Sequence, residues 1–181
     1  MLVVLVGIYL LNIRSQGKLN SSNLAIFTED PKNILKVLIQ QGEKAIELAH
    51  VDTVWKISGN DTLIVKPRAI ESLFNKVLKV NRGTIISENP NNYGKYSLDD
   101  STGTHLALIN SKDETVGYYI FGRSTSDYSR SYVRVDDDPK VYLADQNVLY
   151  MLSTRETYWG EKLKEDVLTP QVGIPADTTN N

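Results

Sequence analysis

Residues 66–83 read KPRAIESLFNKVLKVNRG, the longest stretch of the chain whose apolar positions follow a helical period. Ile70, Leu73, Phe74, Val77 and Leu78 fall at i, i+3, i+4, i+7 and i+8, which lines them along one side of an α-helix. Pro67 suits the first helical position, where a missing N–H is no loss. Lys76, Lys79 and Arg82 bring positive charge to the other end, and Gly83 follows as a C′ residue. The spacing predicts an amphipathic helix over about residues 67–80. A helix with a single apolar stripe needs a surface to lie on.

The flanking sequence supplies that surface. ILKVLIQ (34–40) sets Leu35, Val37 and Ile39 on one face and Lys36, Leu38 and Gln40 on the other. AIELAHV (45–51) repeats the pattern with Ile46 and Leu48, and TVWKIS (53–58) with Trp55 and Ile57. NLAIF (23–27), TIIS (84–87), THLALIN (104–110), TVGYYIFG (115–122), SYVRV (131–135) and KVYLA (140–144) are further strand candidates. QGEK, SGND, SKDE and DDDP read as turns. Residues 88–103, ENPNNYGKYSLDDSTG, read as a loop. DQNVLYMLS (145–153) reads as a short helix capped by Asp145, and YWGEKL closes the packed part. Turns this short join antiparallel neighbours, because a parallel pair needs a long crossover. The expected fold class is therefore α+β: a mostly antiparallel sheet of short strands with one main helix on one face.

Composition removes several function classes. At 181 residues, 41% hydrophobic and 23% charged, the chain suits one globular domain plus ends. Its net charge of −2 argues against a nucleic-acid binder, which would present a basic face. The absence of cysteine excludes disulfides, thiolate catalysis and cysteine-ligated metal. No GxSxG, SxxK, P-loop, GxGxxG or HExxH occurs. The two histidines, His50 and His105, read as structural or exposed, and no metal or other cofactor is expected. VDDDPK and LDDSTG hold clustered carboxylates but lack the alternating ligand spacing of a calcium loop, so they read as turns. The sequons at Asn20 and Asn60 read as chance matches.

The chain opens with MLVVLVGIYLLN, apolar or glycine from Met1 to Leu11. Leu2, Val3, Val4, Leu5, Val6, Ile8, Tyr9, Leu10 and Leu11 would form a helix of about 17 Å, against a hydrocarbon core of about 30 Å. A signal-peptide remnant and a buried opening strand are the alternatives. No positive region precedes the run, and a polar linker follows it, so a partial membrane anchor is the expectation. Its shortfall suggests that the natural start lies upstream. The expected organisation is an anchor over 1–13, a linker over 14–22, an α+β domain over 23–165 and a loose tail over 166–181.

The second half carries an ordered set of motifs. After the W-x-I strand and a helix comes Y-G-x-x-x-L-D at Tyr93, Gly94, Leu98 and Asp99. A hairpin ending at Phe121-Gly122 follows, then SYVRV and KVYL with Tyr132, Arg134 and Tyr142, and finally Trp159 before a charged pair. This order resembles the bacterial family of domain of unknown function 4340, over roughly residues 50–163. The resemblance implies a membrane-anchored, extracytoplasmic domain and an accessory role beside a gliding-motility-type ABC transporter. It implies no activity. The chain departs from the family in having Gly-Glu-Lys after Trp159, where Arg-Asp-Lys is more usual, which weakens any role for an arginine there. It also ends without a further strand-rich segment, as a minimal or truncated member would.

Tyr132 and Arg134 share a strand face by their spacing of two, and Tyr142 is expected across the hairpin from them. In the functional reading this is a patch whose arginine recognises an anion on a partner. The alternative is a stack of aromatic and guanidinium groups that stabilises the sheet, which the residue types favour. The leading expectation is a non-enzymatic interaction domain tethered to the bilayer outside the cytoplasm, with envelope or ABC-transporter proteins as partners. A small envelope enzyme or carbohydrate-binding module is the other reading.

Overall fold

The computed structural model describes residues 24–162, and the anchor, linker and tail expected at 1–13, 14–22 and 166–181 lie outside them. The described residues form an eight-stranded, wholly antiparallel sheet with a two-stranded ribbon beside it. In chain order the strands are β1 (Ile34–Gln41), β2 (Lys44–Val51), β3 (Val54–Ile57), β4 (Leu63–Val65), β5 (Arg82–Ser87), β6 (Thr104–Asn110), β7 (Thr115–Arg123), β8 (Ser131–Val135), β9 (Val141–Ala144) and β10 (Gly160–Lys162). Across the large sheet they run β3-β2-β1-β6-β7-β8-β9-β5, and β10 pairs with β4. Helix α1 (Pro67–Asn75) follows β4, and the single turn α2 (Glu156–Trp159) leads into β10. The α+β reading holds. No helix among the described residues is long and apolar enough to cross a membrane.

Strand alternation divides the sheet into two faces. Val37, Ile39, Ile46, Leu48, Ile57, Leu106, Leu108, Tyr119, Phe121, Val133 and Ala144 point into the larger core. That core is closed by Ile70, Leu73, Val77, Leu78 and Val80, by Ile26 and Phe27, and by Val148, Met151, Leu152 and Trp159. Trp55 stands between the sheet and the helix, its ring 5.6 Å from that of Phe74. Each of these faces alternates as a half-buried antiparallel sheet should.

Five local expectations are corrected. The helix ends at Asn75, not near residue 80: Lys76 leaves helical geometry at φ −120°, and Val77–Lys79 tighten into a 3₁₀ turn. That turn brings Val77, Leu78 and Val80 inward together, which a continued α-helix would not. Gly83 is not a helix cap but a strand residue of β5. A Cβ there would lie 2.9 Å from the Leu143 carbonyl oxygen, so glycine allows β9 to approach. Leu35 does not share the inner face with Val37, because a bulge between Ile34 and Lys36 turns Ile34 inward in its place. Asp145 caps no helix: residues 149–151 make a 3₁₀ turn, and the Asp145 carboxylate accepts from the Asn81 backbone and side-chain N–H groups at 3.1 and 2.9 Å. NLAIF likewise forms only a single bridge, Ala25 to Asn81.

Trp159 fastens the chain end to the core. It is fully buried, its Nε1 donates to the Ser153 carbonyl at 2.6 Å, and its own carbonyl accepts from Lys66 N–H at 2.7 Å. Gly160 follows under tight packing: a Cβ would meet Leu63 Cβ at 2.8 Å and Ile57 Cδ1 at 3.0 Å. The departure from arginine after Trp159 therefore falls where a long side chain has no room. Replacing Trp159 by Ala is expected to lower unfolding free energy by about 3–5 kcal/mol in denaturant melts, whereas exposed Tyr150→Ala should change it by no more than about 0.5 kcal/mol.

Candidate functional site

The second face of the sheet carries its own small core of Tyr96, Leu98, Ile120, Tyr132 and Val141, with Tyr93, Tyr118, Ile86 and Leu143 packed against it. The segment that covers this face is residues 88–103, whose polar composition reads as a solvated loop. It is instead a strap, with 3₁₀ turns at Pro90–Asn92 and Gly94–Tyr96 and with Tyr96 and Leu98 buried. Ser97 adopts a left-handed conformation at φ 53°, which reverses the chain between those two buried side chains.

Each motif residue of the strap has a mechanical task. Tyr93 donates its hydroxyl hydrogen to the Pro139 carbonyl at 3.0 Å, tying the strap to the β8–β9 turn. Its backbone carbonyl accepts from Leu98 N–H at 3.0 Å, which closes the loop on itself. Asp99 gathers four donors from Ser101 and Thr102, two backbone and two hydroxyl, at 2.6 to 3.0 Å. Those hydrogen bonds hold its carboxyl well below the usual range. Gly94 starts the second 3₁₀ turn in open surroundings, where a Cβ would meet only Asp99 Oδ2 at 3.6 Å.

The sheet beneath is cut to receive the strap. Gly122 lies directly under it: a Cβ there would sit 2.0 Å from the Tyr96 carbonyl oxygen and 2.8 Å from that of Ser97. Tyr132, directly opposite Gly122 on β8, packs edge-on against Tyr96 with ring centroids 4.9 Å apart. Arg134, two residues on, points to the same face. Its Cζ lies 3.7 Å from the centroid of the Tyr93 ring, and its Nη1 donates to the Leu98 carbonyl at 3.2 Å. A guanidinium over an aromatic face is held by the ring quadrupole and by contact area. Its Nε is buried without a hydrogen-bond partner.

Tyr142 does not join this group. The register pairs Tyr132 with Leu143 and Val133 with Tyr142, so Tyr142 faces the larger core. There its hydroxyl donates to Asp138 at 2.6 Å, and burial with that bond pushes its pKa up to about 12. The guanidinium of Arg82 lies 5.4 Å from its ring. The expected placement across the hairpin from Tyr132 is thus corrected by one residue of register, which moves a side chain to the opposite face. Trp159 is also remote from the strap, within the other core.

One residue set aside as structural does belong here. The ladders place His105, Ile120 and Arg134 in a single row across β6, β7 and β8. His105 is 8% exposed; its Nδ1 is hydrogen-bonded to the Tyr118 hydroxyl, while its Nε2 is buried without a partner. Burial lowers its pKa from the ordinary 6.5, and that outweighs the opposing pull of Asp100 and Asp99. Burial also lifts the Tyr118 hydroxyl to about 12. Counting strand positions from the SKDE turn would have aligned His105 with the SYVRV face. Among the described residues, no group of three or more His, Asp or Glu side chains is placed to hold a metal ion. In the VDDDPK turn, Asp136 accepts from Tyr118 N–H and Asp138 from Lys140 N–H and Tyr142.

Taken together, Tyr93, Gly94, Leu98, Asp99, Gly122, Tyr132 and Arg134 converge on the junction between strap and sheet. Arg134→Gln and Arg134→Lys are both expected to lower stability by about 1–2 kcal/mol, because neither replacement keeps the planar stack on Tyr93. Gly122→Ala, which drives a methyl carbon toward the Tyr96 carbonyl, should cost about 1–3 kcal/mol. Chemical denaturation checks both. An Arg134→Gln protein as stable as its parent would refute the structural role.

No curated protein and no solved structure matches the chain. The family model described as Domain of unknown function (DUF4340) matches residues 55–167, more than half of the sequence, and the matched span contains the entire strap and every strand beneath it. The chain therefore belongs to the DUF4340 family.

Proposed function

We propose that this protein is a tethered interaction domain of the bacterial envelope, an accessory of a membrane complex such as an ABC transporter, and not an enzyme. The observation that carries this reading is the use made of the family motif. Its most chemically capable residues, Arg134, Asp99 and Tyr93, bind the protein's own backbone or rings. A signature committed to holding a strap on a sheet fits a recognition scaffold better than a reaction centre. The uncharged opening run Leu2–Leu11 supports the tether. Leu24 lies beside the β5 edge of the sheet, its carbonyl accepting from Arg82 N–H.

The test is fractionation of the full chain expressed in a bacterial host. It should stay with membranes through carbonate washing and be recovered with neighbouring envelope proteins after cross-linking. Removal of residues 1–13 should release it to the soluble fraction. Full-length protein that washes off with carbonate would overturn the tether and the proposed role with it.

A further inference from the structure

We propose that the 88–103 strap is an acid-sensitive latch, closed while His105 is neutral and loosened when that imidazole takes up a proton. The argument starts from packing. His105 lies in the row of the sheet beneath the strap, is more than nine-tenths buried, and shares that row with Ile120 and Arg134. Gly103 closes the strap over this row so tightly that a Cβ would sit 2.5 Å from Ile120 Cγ2 and 2.9 Å from the Asp99 carbonyl oxygen. Little room remains to solvate a new charge without moving the strap.

The chemistry of the imidazole points the same way. In the neutral ring one nitrogen accepts and the other donates. Tyr118, held protonated by burial, can satisfy Nδ1 in either role. A second proton obliges both nitrogens to donate, and Nε2 makes no hydrogen bond in the closed strap. The groups facing the ring divide in sign. Arg134 opposes the new charge, the Asp99 and Asp100 carboxylates and the Asp100 backbone carbonyl favour it, and burial against it is the largest influence. Asp99 is already engaged by four donors from Ser101 and Thr102. Behind Tyr118, Asp136 accepts from its backbone N–H at 2.8 Å.

The sign follows from linkage. The closed strap binds a proton at His105 less readily than the open one. Closure is therefore fully supported above about pH 6.5, the ordinary value, and weakens as the pH falls below it. At pH 5.5 an open-strap histidine is protonated roughly ten to one, so opening should rise by up to roughly tenfold between pH 7.5 and 5.5.

Hydrogen exchange on the full chain, corrected for intrinsic rates, reads this directly. Protection of the Leu98 and Gly103 amides, which donate to Tyr93 and Asp99 carbonyls, should fall by up to that factor while the β1–β6 ladder keeps its protection. His105→Gln should abolish the pH dependence. Because the chain has only two histidines, the His105 imidazole resonance can also be followed in the unaltered protein, where it should titrate below the ordinary value of 6.5. A His105 that titrates at 6.5 or above, strap protection that does not change with pH, or a pH dependence that survives in His105→Gln would each overturn the proposal.

Discussion

The guanidinium of Arg134, held between the Tyr93 ring and the Leu98 carbonyl, joins the strap to the face of the sheet that it covers. An antiparallel sheet eight strands wide has two faces, and the helical layer built from α1 and its following turn reaches only one of them. Without a cover, Ile120, Tyr132 and Val141 would stand in water beside one another. The strap supplies that cover from a segment with too few apolar residues to bury itself. Its polar backbone must then find partners inside the protein, and Arg134 and the Asp99 turn provide them.

This division of labour explains the motif. Glycine at 122 and aromatic rings at 93, 96 and 132 are steric and stacking requirements of one joint. A joint of this kind can recur in proteins with unrelated tasks, so its residues do not say what the protein binds. Surfaces outside the joint are free to differ. That separation is what the proposed interaction role rests on.

The sequence was most legible where period alone decides the outcome. The i, i+3, i+4 spacing from Ile70 located α1, and alternation placed Ile46, Leu48 and Ile57 inside. Period does not report where one strand meets the next. SYVRV and KVYL both alternate correctly, yet a single step of register across the DDDP turn separates Tyr142 from Tyr132. Nor does period report a bulge, which is how Leu35 lost its place to Ile34. The strap was the least legible element. Gly, Asn, Asp and Ser dominate its composition, and the burial of Tyr96 and Leu98 depends on Gly122 and Arg134, which lie far along the chain. Only the motif order hinted that these distant residues belong together.

The position of β1 has a consequence for how the chain is made. It lies between β2 and β6, so the N-terminal strands reach the rest of the sheet only through a pairing of residues roughly seventy apart. As synthesis proceeds, β1, β2 and β3 emerge as a meander with one flank of β1 unmatched until Thr104–Asn110 follows. Until β6 follows, that flank of β1 has no partner in the sheet, and an unpaired strand edge is where other chains can pair.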